Sequence, residues 1–329
     1  MKMKKLIKNI LASFIKNCMQ ECMQTLTNSS QTQQMRQQPI YLGNNLMLCQ
    51  MKWGGWVVAP TYNIDVAVGA IRDGCIEIAT TQFIKDNLSY GDYYINVGAN
   101  FGYYTSLAGN IVGNKGFVYS YEANPVMFAI LLRTIFYAGI PDRIKAFNRA
   151  VSNCADKTVE LFFDYQFIGG GTVVLNNTPS LYDNNLIWDM ENVKELLHDD
   201  GSFIGKGLYS KADVKTTTLD LTVTHQYINM IQCDAEGSEP FILLGARDII
   251  SRSKKIKIIF EWHATSYQRR DSTYKETVHE LWDFLKSEGF QIRKILPCLQ
   301  SSKVNLSEAM TFHEMTQLAE HGDYYAYRE

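Results

Sequence analysis

The chain has 329 residues, of which 46% are hydrophobic and 20% are charged, so it can bury the core of one large domain. Its 32 Lys and Arg residues nearly balance its 34 Asp and Glu residues, which argues against nucleic acid as a partner. Seven scattered cysteines without a C-x-x-C pair indicate a reducing compartment. No apolar run reaches the ~18 residues of a membrane-spanning helix. We therefore expect a cytoplasmic protein.

The first 26 residues have the pattern of an amphipathic helix. Apolar residues between Met3 and Met23 recur at helical spacing, and most of the lysines lie outside that stripe. Lys8 and Asn9 interrupt the apolar run too early for a signal peptide. Two interpretations stay open: a helix on an anionic membrane surface, or a helix packed on the domain or on a second copy of the chain.

Residues 27–39 are polar and predict a linker, which separates an appendage over residues 1–39 from one domain over residues 40–329. A long stretch at about 173–213, with one obvious helix, interrupts this domain. Insertions of that length in a compact α/β domain are commonly lids or binding loops. We expect this one to cover the acceptor side of a binding site.

From residue 93 onward, short apolar runs alternate with helical patterns, which is typical of βα units on a mainly parallel sheet. Asn124 is expected to cap a helix that has Pro125 in its first turn and Gly139 at its end. Thr273 and Glu276 are expected to form a capping box for another helix. The predicted strands are 93–98, 116–122, 144–151, 158–163, 228–234 and 255–262, and two segments near the C-terminus predict a final antiparallel pair at the sheet edge.

Open α/β sheets bind ligands beyond the carboxyl ends of their strands, where the strand order reverses. The first predicted strand ends in the turn Gly98-Ala99-Asn100-Phe101-Gly102, whose glycines let the backbone approach a ligand closely. Asn100 replaces the second glycine of the dinucleotide pattern G-x-G-x-x-G, which favours a ligand without a pyrophosphate. Glu122 ends the second strand, where a carboxylate can accept hydrogen bonds from both ribose hydroxyls. Together these residues predict an adenosine site.

Six motifs occur in a characteristic order over about residues 90–296: VGANFGYYT, YSYEANP, GGGT, TTTLD, CDAEGSEPFILLGA and IIFEWH. In these motifs the chain resembles the S-adenosylmethionine-dependent methyltransferases of the FkbM type, a branch of the class I enzymes. The resemblance implies an α/β fold with a Rossmann-like, doubly wound sheet, and S-adenosyl-L-methionine as the cofactor. It also implies O-methylation of a hydroxyl group on a small-molecule or glycan acceptor, commonly a sugar or a natural product.

The resemblance also assigns residues to the cofactor. Glu122 would hold the ribose, and Ala150 and Val151 would flank the adenine. Two departures from the family pattern remove a charge: Asn96 stands where an aspartate is usual, and Gln232 where a lysine is usual. A catalytically silent interaction module is therefore an alternative. The full cofactor-binding set is Asn96, Gly98, Ala99, Asn100, Gly102, Tyr104, Glu122, Asn124, Ala150, Val151 and Asp234.

Four residues would lie near the transferring methyl group by the same resemblance: Asp234, Glu236, Glu261 and His263. A neutral hydroxyl needs a base, and we rank His263 first because an unperturbed imidazole titrates at about 6.5. His263 as an ordinary hydrogen-bonded residue at a strand end, and Asp234 and Glu236 as helix caps, stay open. So does a divalent metal bound by the four side chains, although their spacing matches no metal motif and we expect none. Transfer to nitrogen is a further alternative, for which no residue discriminates.

Overall fold

The computed structural model describes residues 37–164, 172–173, 209–262, 267–268, 270–297, 304–317 and 321–328. Most of the predicted appendage, most of the insertion, the GGG of the GGGT motif and His263 lie outside the described residues. Among the helices that are described, none is long and apolar enough to cross a membrane.

The segment before residue 93 forms a small sheet and two helices. Strands β1 (Ile40–Gly43), β2 (Leu46–Gln50) and β3 (Trp56–Pro60) form an antiparallel sheet in this order. Helix α1 (Val66–Val68) continues into a π-helical turn, and α2 (Ile78–Asn87) follows. The sequence patterns predicted none of these elements. The segment nevertheless contributes one side chain to the site, that of Glu77.

The other strands and helices form the larger part of the fold. In chain order the strands are β4 (Tyr93–Val97), β5 (Phe117–Tyr121), β6 (Ile144–Phe147), β7 (Ala150–Val151), β8 (Thr158–Asp164), β9 (Thr172–Val173), β10 (Tyr209–Thr217), β11 (Met230–Cys233), β12 (Lys257–Trp262), β13 (Gln291–Leu296), β14 (Asn305–Leu306) and β15 (Gly322–Tyr327). The helices are α3 (Tyr103–Val112), α4 (Pro125–Tyr137), α5 (Leu219–Thr222), α6 (Glu239–Leu244), α7 (Arg247–Arg252), α8 (Ser272–Ser287) and α9 (Phe312–Gln317).

Eight strands make the central sheet, in the order β14-β13-β15-β12-β11-β4-β5-β6. Strands β12, β11, β4, β5 and β6 are parallel, and β15 runs antiparallel to both of its neighbours. The predicted mainly parallel α/β sheet with an antiparallel edge is confirmed. The chain moves outward from β4 in one direction and from β11 in the other, so the strand order reverses between them. Their carboxyl ends therefore form the edge where a ligand is expected.

Both faces of the central strands are covered, as expected for parallel strands. Ile95 and Val97 enter an apolar cluster on one face of β4, and Tyr94 enters a cluster on the other. Because side chains alternate along a strand, a one-residue shift of β4 would exchange these faces. The register of β4 against β11 is therefore fixed on both faces of the sheet.

Two details differ from the sequence-based expectations. The predicted strand 144–151 is split, because Asn148 Nδ2 donates to the Glu122 and Ala123 carbonyls at 2.9 and 3.0 Å and draws the chain out of the sheet after β6. Strand β7 then joins a second sheet of order β7-β10-β8-β9. The predicted capping box at Thr273 is wrong, since Asp271 caps α8 by accepting from the Tyr274 N–H at 2.8 Å.

Candidate active site at the carboxyl ends of the strands

The turn between β4 and α3 uses all of its own N–H groups. Five consecutive amides donate hydrogen bonds within the protein: Gly98 and Ala99 to the Tyr121 carbonyl (3.0 and 2.9 Å), Asn100 to Glu122 Oε2 (2.6 Å), Phe101 to Asn100 Oδ1 (2.8 Å) and Gly102 to the Ala99 carbonyl (2.9 Å). A phosphate group is usually bound by unpaired amides of this kind. The turn therefore suits a ligand that has no pyrophosphate.

The two glycines of this turn are required by the protein's own packing. Gly98 has φ +78°, and a Cβ there would stand 1.8 Å from the carbonyl oxygen of Asp234. Gly102 has φ +96°, and a Cβ there would stand 2.8 Å from Leu131 on α4. The absence of side chains thus brings the turn directly against the end of β11. The sequence predicts that this turn approaches a ligand closely. In the structure the turn closely approaches Asp234.

Glu122 is the buried carboxylate of this edge, with 8% of its surface exposed. Its Oε2 accepts from the Asn100 N–H at 2.6 Å, and its Oε1 accepts from the Asn124 N–H at 2.7 Å. Burial raises the pKa of Glu122 to about 7, and the backbone hydrogen bonds oppose this rise. Each oxygen has a second lone pair, so the carboxylate can still accept hydroxyl hydrogen bonds. We call the turn Gly98–Gly102 together with Glu122 the cofactor side.

Asn96 and Gln232, the two departures from the family pattern, are neighbours. They are paired in the β4–β11 register and are 1% and 3% exposed. Asn96 Nδ2 donates to Thr105 Oγ1 on α3 at 3.0 Å, and Gln232 Oε1 accepts from the Tyr94 hydroxyl. Both amides thus make buried hydrogen bonds within the fold. The two positions that lack the usual charges lie side by side in the sheet.

The remaining cofactor-side predictions fall at the same end of the sheet. Asn124 caps α4, where its Oδ1 accepts from the Val126 N–H at 2.9 Å. Ala150 and Val151 are buried in β7, next to β10. Tyr104, in the first turn of α3, is 8% exposed, and its hydroxyl donates to Glu77 Oε2 at 2.5 Å.

Carboxylates gather on the other side of the turn. Asp234 follows β11, and its N–H donates to the Val97 carbonyl at 3.1 Å. Glu261 near the end of β12 pairs in register with Asp323 on β15. Glu77 precedes α2 and approaches from the segment before the central sheet. We call Glu77, Asp234, Glu261 and Asp323 the carboxylate cluster.

These carboxylates repel one another. Burial raises the pKa of Asp234 well above its usual range, and the nearby charges of Glu261, Glu77, Glu236 and Asp323 raise it further. Burial also raises the pKa of Asp323. Among the described residues, the imidazole of His321 stands beside the cluster, with its Nε2 at 3.2 Å from Glu261 Oε1. The cluster thus holds protons more readily than isolated carboxylates do.

Two alternatives from the sequence can be compared with this geometry. The N-cap position of α6 is Ser238, so neither Asp234 nor Glu236 occupies that position. Carboxylate oxygens of Asp234, Glu239 and Glu261 lie within 4.8 Å of one another, which is close enough to share a cation. Glu239 Oε1, however, accepts from the Ala235 N–H at 2.7 Å. Proximity of acids alone does not define a metal site, and the expectation of no metal stays a prediction.

The sequence pattern of the Methyltransferase FkbM domain matches residues 96–292. The chain belongs to this family. The match covers the turn after β4, Glu122, Asp234 and Glu261, whereas Glu77 and Asp323 lie outside it. The FkbM domain is an S-adenosylmethionine-dependent methyltransferase, which confirms the predicted family and cofactor.

Solved structures of other methyltransferases are similar to this chain at low identity. An S-adenosylmethionine-dependent O-methyltransferase from Thermotoga maritima is 8% identical, with a TM-score of 0.37, and covers 85% of this chain and 77% of its own. An O-methyltransferase from Bacillus cereus, in complex with S-adenosylhomocysteine, is 11% identical, with a TM-score of 0.37 and coverages of 76% and 78%. An rRNA methylase from Streptococcus thermophilus is 9% identical, with a TM-score of 0.36 and coverages of 76% and 93%. A search of curated proteins gave no match.

The residues of the FkbM domain fit S-adenosylmethionine. The cofactor has a ribose and no pyrophosphate, and the site offers a buried carboxylate and no unpaired turn amide. A surface cleft of about 660 Å³ beside α8, lined by residues such as Arg247 and His279, contains none of the predicted site residues. The strand-order reversal and the buried acid therefore locate the site better than cleft volume does.

Proposed function

We propose that this chain transfers a methyl group from S-adenosylmethionine to a hydroxyl group of a sugar, a glycan or a natural product. The contact between the turn after β4 and the end of β11 is the observation that carries the proposal. Because Gly98 packs against the Asp234 carbonyl, a cofactor seated on the turn has Asp234 as its neighbour. The carboxylate cluster then lies where an acceptor would approach.

The bound cofactor supplies a methyl group that is already activated on a sulfonium. The protein must therefore orient the acceptor oxygen and remove its proton. Asp234 is suited to receive that proton, because burial and its neighbours bring its pKa upward from the usual carboxylate range. In this proposal Glu261 orients the acceptor. His263, ranked first from the sequence, and Glu236 remain candidates for these roles.

The charge of the cluster favours some acceptors over others. Nucleic acid binding depends on neutralising phosphates with Lys and Arg. Four carboxylates next to the site oppose the approach of such a polyanion, which supports a neutral hydroxyl acceptor. An amine acceptor is the second candidate function, because carboxylates also bind ammonium groups.

Cofactor binding is tested by calorimetric titration of S-adenosylhomocysteine into the wild type and Glu122→Gln. A glutamine has one acceptor and one donor at its end, so its amide would face the N–H of Asn100 or Asn124. We expect the variant to bind roughly tenfold or more weakly. The control is Glu160→Gln on β8, whose carboxylate is exposed and pairs with Lys211 on the surface. No binding by the wild type would overturn the proposed function.

The acceptor class is tested by incubating the enzyme with S-adenosylmethionine and neutral sugars, amino sugars or RNA separately. Mass spectrometry then reports which probe gains a methyl group. Methylation of a sugar oxygen is expected. Methylation on the nitrogen of amino sugars would favour the amine acceptor, and methylation of RNA alone would contradict both.

A further inference from the structure

Glu77 occupies the N-cap position of α2 without capping it. An acid at this position ordinarily accepts an N–H of the first helical turn. No side-chain cap is formed here, and Glu77 Oε2 instead accepts from the hydroxyl of Tyr104. Tyr104 belongs to the helix that starts at the cofactor turn. The carboxylate is thus directed away from its own helix and toward the site.

The backbone at Glu77 is in the left-handed region, with φ +41° and ψ +66°. Six non-glycine residues of the described chain have a positive φ, and four of them are Asn or Asp, which tolerate it best. The other two are Glu77 and Glu236. Glu236 follows Asp234 on the same edge of the sheet. Both strained glutamates therefore border the site, where such strain is commonly kept.

Glu77 is exposed to solvent, and the carboxylates of Asp323 and Glu261 lie near enough for their charges to act on it. Desolvation, together with the charges of Asp323 and Glu261, raises the pKa of Glu77 to about 7, and the hydrogen bond from Tyr104 opposes this rise. The charge of Glu77 also contributes to the raised pKa of Asp234. No Lys or Arg among the described residues forms an ion pair with it. Its negative charge is therefore available to a cationic ligand at the site.

We propose that Glu77 is a specificity-determining residue of the cofactor site, whose carboxylate favours the positively charged S-adenosylmethionine over the neutral product S-adenosylhomocysteine. The proposal rests on the proposed function. The two ligands differ in the methyl group and in the sulfonium charge, and that charge is lost on transfer. A carboxylate facing the sulfonium therefore stabilises the bound substrate form and not the product form. Product release is favoured by the same difference.

The test is a calorimetric titration at pH 8 with S-adenosylmethionine, S-adenosylhomocysteine and sinefungin. Sinefungin has a protonated amine in place of the sulfonium methyl, so it separates charge from the methyl group. Glu77→Gln keeps an acceptor for the Tyr104 hydroxyl and removes the charge. We expect it to weaken both cations about fivefold and the neutral product less than twofold. The control is Asp86→Asn, an exposed acid on α2 that bonds Gln82.

A second variant distinguishes the effect of the charge from a purely structural effect. Glu77→Asp retains the charge, and aspartate tolerates the left-handed backbone better than glutamate does. It should keep most of the preference for the two cations. An equal change for all three ligands in Glu77→Gln, or no change at all, would overturn the proposal. Failure of the wild type to bind S-adenosylhomocysteine would overturn the proposed function itself, and this proposal with it.

Discussion

On the cofactor side, five consecutive amides and both oxygens of Glu122 are hydrogen-bonded within the protein. In the carboxylate cluster, four acids from four separate elements face one another with His321 beside one of them. The first region is preorganised by short-range contacts between β4, β5 and the turn. The second is held together by the fold against its own repulsion. The two halves of one site thus differ in what keeps them in place.

The two halves of the site also contribute different properties to ligand binding. A turn whose amides are already hydrogen-bonded is rigid, so it holds a ligand in one position and loses little conformational entropy on binding. Crowded carboxylates instead have raised pKa values, which suit proton acceptance and recognition of positive charge. The cofactor side is therefore expected to control affinity, and the cluster is expected to control which charge state and which acceptor are used.

The largest expected effect follows from replacing Gly98 with alanine. The new Cβ would stand 1.8 Å from the Asp234 carbonyl oxygen, so β11 and the turn must separate. Both halves of the site should lose their relative placement. We expect a loss of stability of about 2–4 kcal/mol, measured by chemical denaturation, and loss of S-adenosylhomocysteine binding.

Gly139→Ala is the matched control for this change. Gly139 has φ +69°, close to that of Gly98, but a Cβ there meets nothing within 4 Å. It therefore reports the backbone strain alone, about 1–2 kcal/mol. Equal costs in the two variants would show that the contact between the turn and β11 does not hold the halves together.

The cofactor side could be predicted from the sequence because its residues are close together in the chain. The strand, the glycine turn and the acid at the end of β5 are all local patterns, and Asn124 caps its helix as predicted. From the sequence alone the glycines indicate space for a ligand, whereas in the structure Asp234 and Leu131 fill the space beside them. A glycine in a sequence motif indicates that a side chain is excluded at that position. It does not show which group fills the space.

The carboxylate cluster was only half predicted because its members are distant in the chain. Asp234 and Glu261 follow strands with clear patterns, whereas Glu77 follows no strand and no motif. Asp323 had a signal that could have been used. It begins the last predicted strand, and the start of an antiparallel strand lies at the same edge as the carboxyl ends of its parallel neighbours.

A comparable loss of stability, but no loss of cofactor binding, is expected for the buried hydrogen bonds behind the cofactor side. In Asn96→Asp, the Thr105 hydroxyl can turn to donate to the new carboxylate, so the hydrogen bond survives. The buried charge, however, has no cation opposite it and should cost about 3 kcal/mol. Cofactor affinity should not rise, because a hydrogen bond within the protein already holds this side chain. A large gain in affinity by calorimetry would instead favour the decayed, catalytically silent site.

The paired change is tested by a double-mutant cycle with Gln232→Lys. The two side chains are in register, so a lysine beside Asp at position 96 should return part of the lost stability, with a coupling of about 1–3 kcal/mol. Recovery should be partial, because lysine cannot accept the hydrogen bond of the Tyr94 hydroxyl. Additive costs would mean that the two departures from the family pattern are independent.

The smallest effect concerns the pH dependence of charge selection in the cluster. Glu77 is ionised above its pKa of about 7, so the affinity ratio of S-adenosylmethionine to S-adenosylhomocysteine should rise between pH 6 and pH 8, by up to about fivefold. The Tyr104 hydroxyl stabilises the ionised form and lowers this pKa. Tyr104→Phe should therefore move the midpoint of the rise to higher pH, as measured by titrations across this range. A midpoint that stays fixed would show that another member of the cluster, Asp234 or Asp323, sets the preference, since both also have raised pKa values.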